Sequence, residues 1–394
     1  MISAGIASDG LARERADNPP RRVAAGRAAW RPLAALGEMR GEWQALAARA
    51  LEPNVFYDPA FALAAAPVFG NPGAVLVWSK TARLIGFFPA RIERRYGALA
   101  TLTGWTHPYA PFGAPLVDRD EADAATTAFL DHVEANDKLP RLVLLPFIAA
   151  QGAFRSVLAG VLLRHGGAME PFGTHARALL QPDDRIGYVD HALAHKKQKE
   201  LRRQRRRLED EGPIAFSVAR EPDAVSSALA DFLSLEASGW KGRAGSAAIE
   251  HPAISAFIQG ALTGLARDGN AEIARLTYAG RPIAAAITLR SRPHAWFWKI
   301  AYDEAFARAS PGVQLTLDLT KHMLADPNLA QADSCATSGH PMIDHLWRER
   351  LTLCDLLIAP SAASLTQFRV ARQLESLRRA MILAAKRARD LAKR

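Results

Sequence analysis

The sequence predicts a mixed α/β protein in which one topology occurs twice in tandem. Two observations carry this. Stretches about 195 residues apart share one order of helix, strand, turn and strand. Later elements then keep that order in both copies.

In the first copy Asp58-Pro59-Ala60-Phe61 starts a helical pattern. After Asn71-Pro72-Gly73 come a strand, Val75 to Trp78, a turn, and a second strand from Arg83 to Ile92. In the second copy His251-Pro252-Ala253-Ile254 starts a helix with apolar residues at Ile254, Phe257, Ile258, Ala261, Leu262 and Leu265 and a C-cap at Gly269. A strand from Ile273 to Tyr278, the turn Ala279-Gly280 and a strand from Arg281 to Arg290 follow. The offset is 193 residues at the first proline and 198 at the arginine opening the second strand. A helix over Glu121 to Val133 and a strand over Arg141 to Pro146 then match Val313 to Leu324 and Ala332 to Ala336.

The second copy is the more complete. Ile214 to Val218 reads as its first strand, and Pro222 opens an amphipathic helix through Val225, Leu229, Phe232, Leu233 and Leu235 that ends at Gly239. Ala295 to Ile300 is a buried aromatic strand, Ile343 to Arg350 a short helix, and Leu353 to Ile358 a last strand stopped by Pro360. The expected division is a disordered tail over 1–28, a domain over 29–190, a second over 191–360 and a basic amphipathic helix over 361–394.

Composition excludes several classes. With 394 residues, 49% hydrophobic and 23% charged, the chain is globular and long enough for two cores. Cys335 and Cys354 cannot make a disulfide framework, which favours a reducing cytoplasm. The most apolar stretch, Leu142 to Leu163, is broken by Pro146, Gln151, Gly152 and Arg155 and reads as strand, loop and helix rather than a membrane span. The N-terminus has no apolar core of a secretory signal. Gly-x-Ser-x-Gly, Walker A and Gly-x-Gly-x-x-Gly runs are missing, so serine-hydrolase and nucleotide-binding chemistries have no support.

The net charge of +10 is concentrated. His195 to Arg207 carries +7 and Arg369 to Arg394 another +7, so the rest of the protein is mildly acidic. The segment Lys196 to Arg207 has a thin apolar seam, Leu201 and Leu208, and suits RNA, an anionic membrane surface, or plain solvation. Ser364-x-x-Gln367 reads as a capping box before a C-terminal helix. There Val370, Leu374, Leu377, Met381, Ala384, Ala388 and Leu391 repeat every three and four residues, a face for the protein's own body or for a homodimer.

The aromatic strand ends in Tyr302, Asp303 and Glu304, and Ser310-Pro311-Gly312 then opens a helix. A strand running through a glycine turn into a helix leaves free N–H groups and the positive end of a helix dipole, a fit for phosphate.

The order of elements over residues 195 to 360 resembles the GNAT-like acyltransferases, in the tandem branch related to Fem-type peptidyltransferases and CelD-like cellulose-biosynthesis acetyltransferases. The matching residues are Lys196-Lys197-Gln198-Lys199-Glu200-Leu201-Arg202-Arg203, Gly239-Trp240-Lys241-Gly242, Trp298-Lys299-Ile300-Ala301-Tyr302-Asp303, Ser310-Pro311-Gly312 and His340-Pro341-Met342-Ile343-Asp344-His345-Leu346-Trp347. Val55-Phe56-Tyr57-Asp58 and Gly104-Trp105-Thr106-His107-Pro108-Tyr109 add the first half. The resemblance implies two tandem GNAT-like domains and an acyl-CoA co-substrate, acetyl-CoA first, held at Ser310, Gly312, Val313 and Gln314. It departs from the usual Arg/Gln-x-x-Gly-x-Gly/Ala cradle: one glycine remains in Arg308-Ala309-Ser310-Pro311-Gly312-Val313-Gln314, and Pro311 has no N–H.

Acyl transfer needs a held carbonyl, a base for the acceptor and an acid for the leaving thiolate. The candidates are Tyr302, Asp303, His340 and Asp344, with His107, Tyr109, Trp240, Lys241 and Lys299 around the acceptor. Strand alternation puts Lys299 on the face of Phe297. His340, Asp344 and His345 lack metal-ligand spacing, so no metal is expected. The expected activity is N-acyl transfer to an amine or hydroxyl of a small molecule, sugar or envelope precursor, at or near the inner face of the membrane. Its alternatives are an aminoacyl-tRNA-dependent transferase and a non-catalytic accessory protein of polysaccharide production.

Overall fold

The computed structural model describes residues 26–392 except 98, 183 and 184, with side chains to residue 389. The tail expected over 1–28 falls, as far as residue 25, outside the described residues. The first half runs β1 (Ala28–Pro32), α1 (Arg40–Ala48), α2 (Pro59–Ala65), β2 (Gly73–Trp78), β3 (Leu84–Tyr96), β4 (Leu99–Gly104), β5 (Leu116–Val117), α3 (Ala122–Ala135), β6 (Val143–Ala149), α4 (Ala153–His165) and β7 (Ala168–Leu180). Helices α5 (Tyr188–Ala192) and α6 (His195–Glu211) cross to the second half. That half runs β8 (Ile214–Ala219), α7 (Pro222–Ser238), α8 (Trp240–Arg243), α9 (Pro252–Arg267), β9 (Ala271–Tyr278), β10 (Arg281–Ser291), β11 (His294–Tyr302), α10 (Pro311–Leu324), β12 (Gln331–Asp333), α11 (Ile343–Leu346) and β13 (Glu349–Ala359). Helix α12 (Leu365–Ala392) closes the description.

The strands make one 13-stranded sheet in the order β1-β2-β3-β4-β6-β13-β7-β12-β11-β10-β9-β8, with β5 paired to β3. Read from either edge the pattern is the same. Three antiparallel pairings are followed by one parallel pairing, β4 to β6 in one half and β11 to β12 in the other. The last strand of each copy is exchanged. β13 of the second half pairs with β6 of the first, β7 of the first pairs with β12 of the second, and β7 and β13 pair with each other. The repeat visible in the sequence is therefore a structural repeat, but its two sheets are joined into one.

Among the described residues, four clusters of buried apolar side chains hold this sheet. One spans both halves, with Trp43, Phe56 and Phe61 packed among residues that include Phe232, Phe257 and Trp296. Two others centre on one half each, around Phe88, Phe129 and Phe154 with Ile358 of β13, and around Phe297, Leu315 and Trp347 with Leu180 of β7, and a fourth holds Phe368 and Ala371 beside Tyr96 and Leu144. The equivalent helices α2 and α9 meet at the shared core. Gly264 lies so close to α2 that a Cβ there would stand 2.8 Å from the Ala60 Cβ. Asp58 starts α2 by accepting a hydrogen bond from the Ala60 amide at 2.8 Å.

Some elements depart from the sequence expectation for local reasons. β12 stops at Asp333 instead of reaching Ala336, because Cys335 turns the chain with φ of 53°. The helix expected to Arg350 ends at Leu346, since Glu349 already belongs to β13. The capping box is formed by Ser361 and Ser364, one step before the pair expected at Ser364 and Gln367.

Candidate active site

Strand β11 pairs with β12 only through His294, Ala295 and Trp296, opposite Gln331, Ala332 and Asp333. Beyond Trp296 it runs on to Tyr302 with no β12 residue beside it, so the parallel pair parts and leaves a gap. A β-bulge falls in the same place. Thr288 of β10 faces Phe297 and Ile287 faces Lys299, which leaves Trp298 without a partner. A bulge brings two successive side chains toward one face. This overturns the expectation that Lys299 shares a face with Phe297. The Lys299 ammonium lies 4.1 Å from the ring centre of Tyr109 and 5.3 Å from that of Trp298, against the first half, while Phe297 packs in the core under α10.

Burial pulls the Lys299 pKa down to about 8, helped by the charge of Lys241 and opposed by Glu236 and Cys335. Glu236 sits on the buried face of α7 and accepts from Lys241 Nζ at 2.6 Å and the Ala248 amide at 2.9 Å. Burial alone would raise its pKa, but those hydrogen bonds outweigh it and hold the carboxylate ionised. Cys335, beyond β12, is half-buried and its thiol is pushed well above its ordinary range, chiefly by desolvation and then by Asp333. Asp333 accepts from the Cys335 amide at 3.0 Å and forms a buried ion pair with Arg177 of the exchanged strand β7, whose Nη1 also donates to the Pro111 carbonyl at 3.0 Å. Tyr109, Lys299 and Lys241 thus lie close together around Glu236. Glu236 and Cys335 complete the group and were missed. An acid within an apolar helical run was the available signal for Glu236; nothing in the sequence marked Cys335.

The other expected residues divide. Tyr302, Trp240 and Lys241 line one small pocket of about 40 Å³ together with Glu236 and Glu304. Asp303 accepts from the Ala305 amide at 2.9 Å and from Arg281 at 2.5 Å, so it starts the turn 304–309. His340 Nδ1 accepts from the Met342 amide at 3.3 Å, and Asp344 accepts from the Gly339 amide at 2.9 Å. Both side chains fasten their own loop. His107 stacks on Phe69 at 3.9 Å within the aromatic core, and burial drives its pKa down to about 3, so it is neutral. Both ring nitrogens of His107 are buried without a hydrogen-bond partner among the described residues.

The turn before α10 also differs from expectation. The amides of Val313 and Gln314 both donate to the Ser310 carbonyl at 3.0 Å, and the Gln314 side chain donates to the Leu201 carbonyl of α6 at 2.8 Å. The Ser310 amide donates to the Ala307 carbonyl at 3.0 Å, so of the four residues expected to hold the phosphate only Gly312 keeps an uncommitted amide among these bonds. Helix α6 is less free than its composition implies. Arg202 pairs with Asp190, Arg203 with Glu200, and Arg205 with Glu209 and Asp318. Between the halves lies a further cavity of about 270 Å³, lined by Phe112 and Gly152 on one side and His294, Trp296, Asp333 and Arg350 on the other. Among the described residues no group of acids, histidines and cysteines has a metal-holding arrangement, and no helix is long and apolar enough to cross a membrane.

Residues 195–336 match the family model described as an acetyltransferase (GNAT) domain. That stretch, about a third of the chain, is similar to a GNAT domain. The whole chain has the tandem GNAT-like fold. The crystal structure of FemX superposes with a TM-score of 0.57 at 10% identity, over 84% of this chain and 98% of that one. The C-terminal domain of a protein assigned as a lysylphosphatidylglycerol synthetase, from Agrobacterium fabrum, does so with 0.53 at 12% identity, over 88% and 96%. No curated protein matches the sequence.

Proposed function

We propose that the protein transfers an acyl group from an acyl-CoA, acetyl-CoA first, to an amine on a small molecule, sugar or envelope precursor. The observation that carries this reading is the gap between β11 and β12 with Lys299 inside it. The thioester enters the gap, where the bulge at Trp298 frees backbone from the ladder to meet the carbonyl. The acceptor occupies the cavity between the halves and reaches the gap past Asp333. Neutral Lys299 takes the proton of the attacking amine as the C–N bond forms and the C–S bond breaks. The thiolate takes a proton from Tyr302 or water, and Tyr302 is replenished by solvent.

Isothermal titration with acetyl-CoA and longer acyl-CoAs tests the donor. Binding at micromolar to millimolar concentration is expected, and no binding at millimolar concentration overturns it. A second reading, an aminoacyl-tRNA donor, is favoured by the two committed amides at Val313 and Gln314 and by the unpaired basic face of Lys196, Lys197 and Lys199. Filter binding of tRNA that weakens steeply with salt would support it.

A further inference from the structure

The C-terminal helix presents an apolar face that the fold does not use. Phe368, Ala371 and Glu375 are buried against the body, one turn apart on one side of α12. A second stripe, Val370, Leu374, Leu377 and Met381, advances by four, three and four residues and so forms a continuous line along another side. Those four side chains are 46%, 40%, 58% and 58% exposed. From Ala380 to Arg389 every side chain is exposed, so the helix runs about 15 Å past the body. Ile382 and Leu383 add further exposed apolar surface there. Apolar exposure concentrated on one element marks an interaction site.

The charges decide the partner. Between Leu365 and Arg389 the only acid is Glu375, which is buried and tied to Arg95, Arg378 and Arg379. The same span carries Arg369, Arg372, Arg378, Arg379, Lys386, Arg387 and Arg389. At 3.6 residues per turn, Arg369 and Arg387 fall along one edge of the stripe and Arg378 and Arg389 along the other. A second copy of this helix would bring the same cations to both edges, with no exposed acid between Leu365 and Arg389 to answer them. A stripe of Leu and Met edged by arginines instead matches an anionic lipid surface. The apolar side chains enter the acyl boundary and the guanidiniums meet the headgroups.

We infer that α12 docks the protein on anionic membrane surfaces, lying in the interface rather than crossing it. The test is co-sedimentation of the full chain with unilamellar vesicles of phosphatidylcholine and phosphatidylglycerol, against phosphatidylcholine alone. Binding is expected to the mixed vesicles only, to fall at least tenfold in 0.5 M salt, and to be lost in Leu374→Glu/Leu377→Glu, whose altered side chains are exposed. A second variant, Arg369→Gln/Arg387→Gln, should weaken binding while keeping the apolar stripe. Circular dichroism checks that both variants stay folded. Absence of binding to the mixed vesicles, or binding that survives Leu374→Glu/Leu377→Glu, overturns the inference. A dimer in sedimentation equilibrium that the glutamates abolish, without vesicle binding, assigns the face to a second copy and also overturns it. The outcome is independent of donor binding.

Discussion

Lys299 of the second half holds its ammonium 4.1 Å from the ring centre of Tyr109 in the first. Lys299 is therefore positioned by both copies of the repeat. Its pKa of about 8 lies below the ordinary lysine value of 10.5 because burial disfavours the charged form. A depressed folded-state pKa contributes stability that is complete above the unfolded value and lost as pH falls through about 8. Turnover should rise with pH up to about 8 and then level, and Lys299→Met should remove that limb. The same variant should raise the melting temperature at pH 7 and lose that gain near pH 10. A pH–rate profile with wild-type shape in Lys299→Met would remove the residue from the chemistry.

Glu236 and Lys241 act on that pKa in opposite directions. Glu236→Gln withdraws a negative charge and should move the rising limb to lower pH. Lys241→Met withdraws a positive charge and should move it to higher pH. Profiles of both variants that shift the same way would contradict the arrangement.

The turn before α10 can be probed through Gly312. A Cβ there would stand 3.2 Å from Tyr302 Cδ1, so Gly312→Val displaces a flexible ring rather than the backbone. Binding of a CoA ester should weaken at least tenfold in titration, with the melting temperature changed little. Unchanged affinity would take the phosphate role away from this turn.

Gly264 separates α9 from α2 across the shared core, and Gly264→Val should destabilise by about 1–3 kcal/mol in urea unfolding. Gly41, with open space around its would-be Cβ in α1, gives the contrast: Gly41→Ala should stabilise by about 0.5–1 kcal/mol. Equal effects at the two positions would mean the close approach carries no strain.

Asp303 begins the turn after β11 and accepts from the Ala305 amide. Asp303→Ala should cost about 1 kcal/mol of stability. Turnover per folded molecule should stay within a few-fold. A large loss of turnover without a loss of stability would return it to the catalytic group.

Periodicity made most elements legible. α9, α10, β10 and β11 follow apolar patterns that local sequence states plainly, and the repeat told which elements correspond. β7 was invisible because Pro171 and Gly173 break it and its first half alternates poorly between buried and exposed positions. Its partners come from the second half, and only tertiary pairing makes it a strand. The site was legible where a charge stood against its surroundings, as Lys299 does among aromatic residues. At His340, Asp344 and Asp303 the structure adds contacts to loop amides that the sequence did not show. Polar side chains near a loop look the same in sequence whether they hold substrate or the loop's own amides. The bulge at Trp298 was a further obstacle, since one unpaired residue reverses the face of everything counted past it.

The exchanged strands bear on how the chain is made. β6 receives β13, which leaves the ribosome some 200 residues later, and until then the first half has an open sheet edge. The usual vectorial order, in which an N-terminal domain finishes before its neighbour begins, does not apply. β7 meanwhile waits for β12. A nascent chain halted before Glu349 would leave both β6 and β7 without β13. Premature termination anywhere in the second half therefore leaves an aggregation-prone fragment in place of a working first domain.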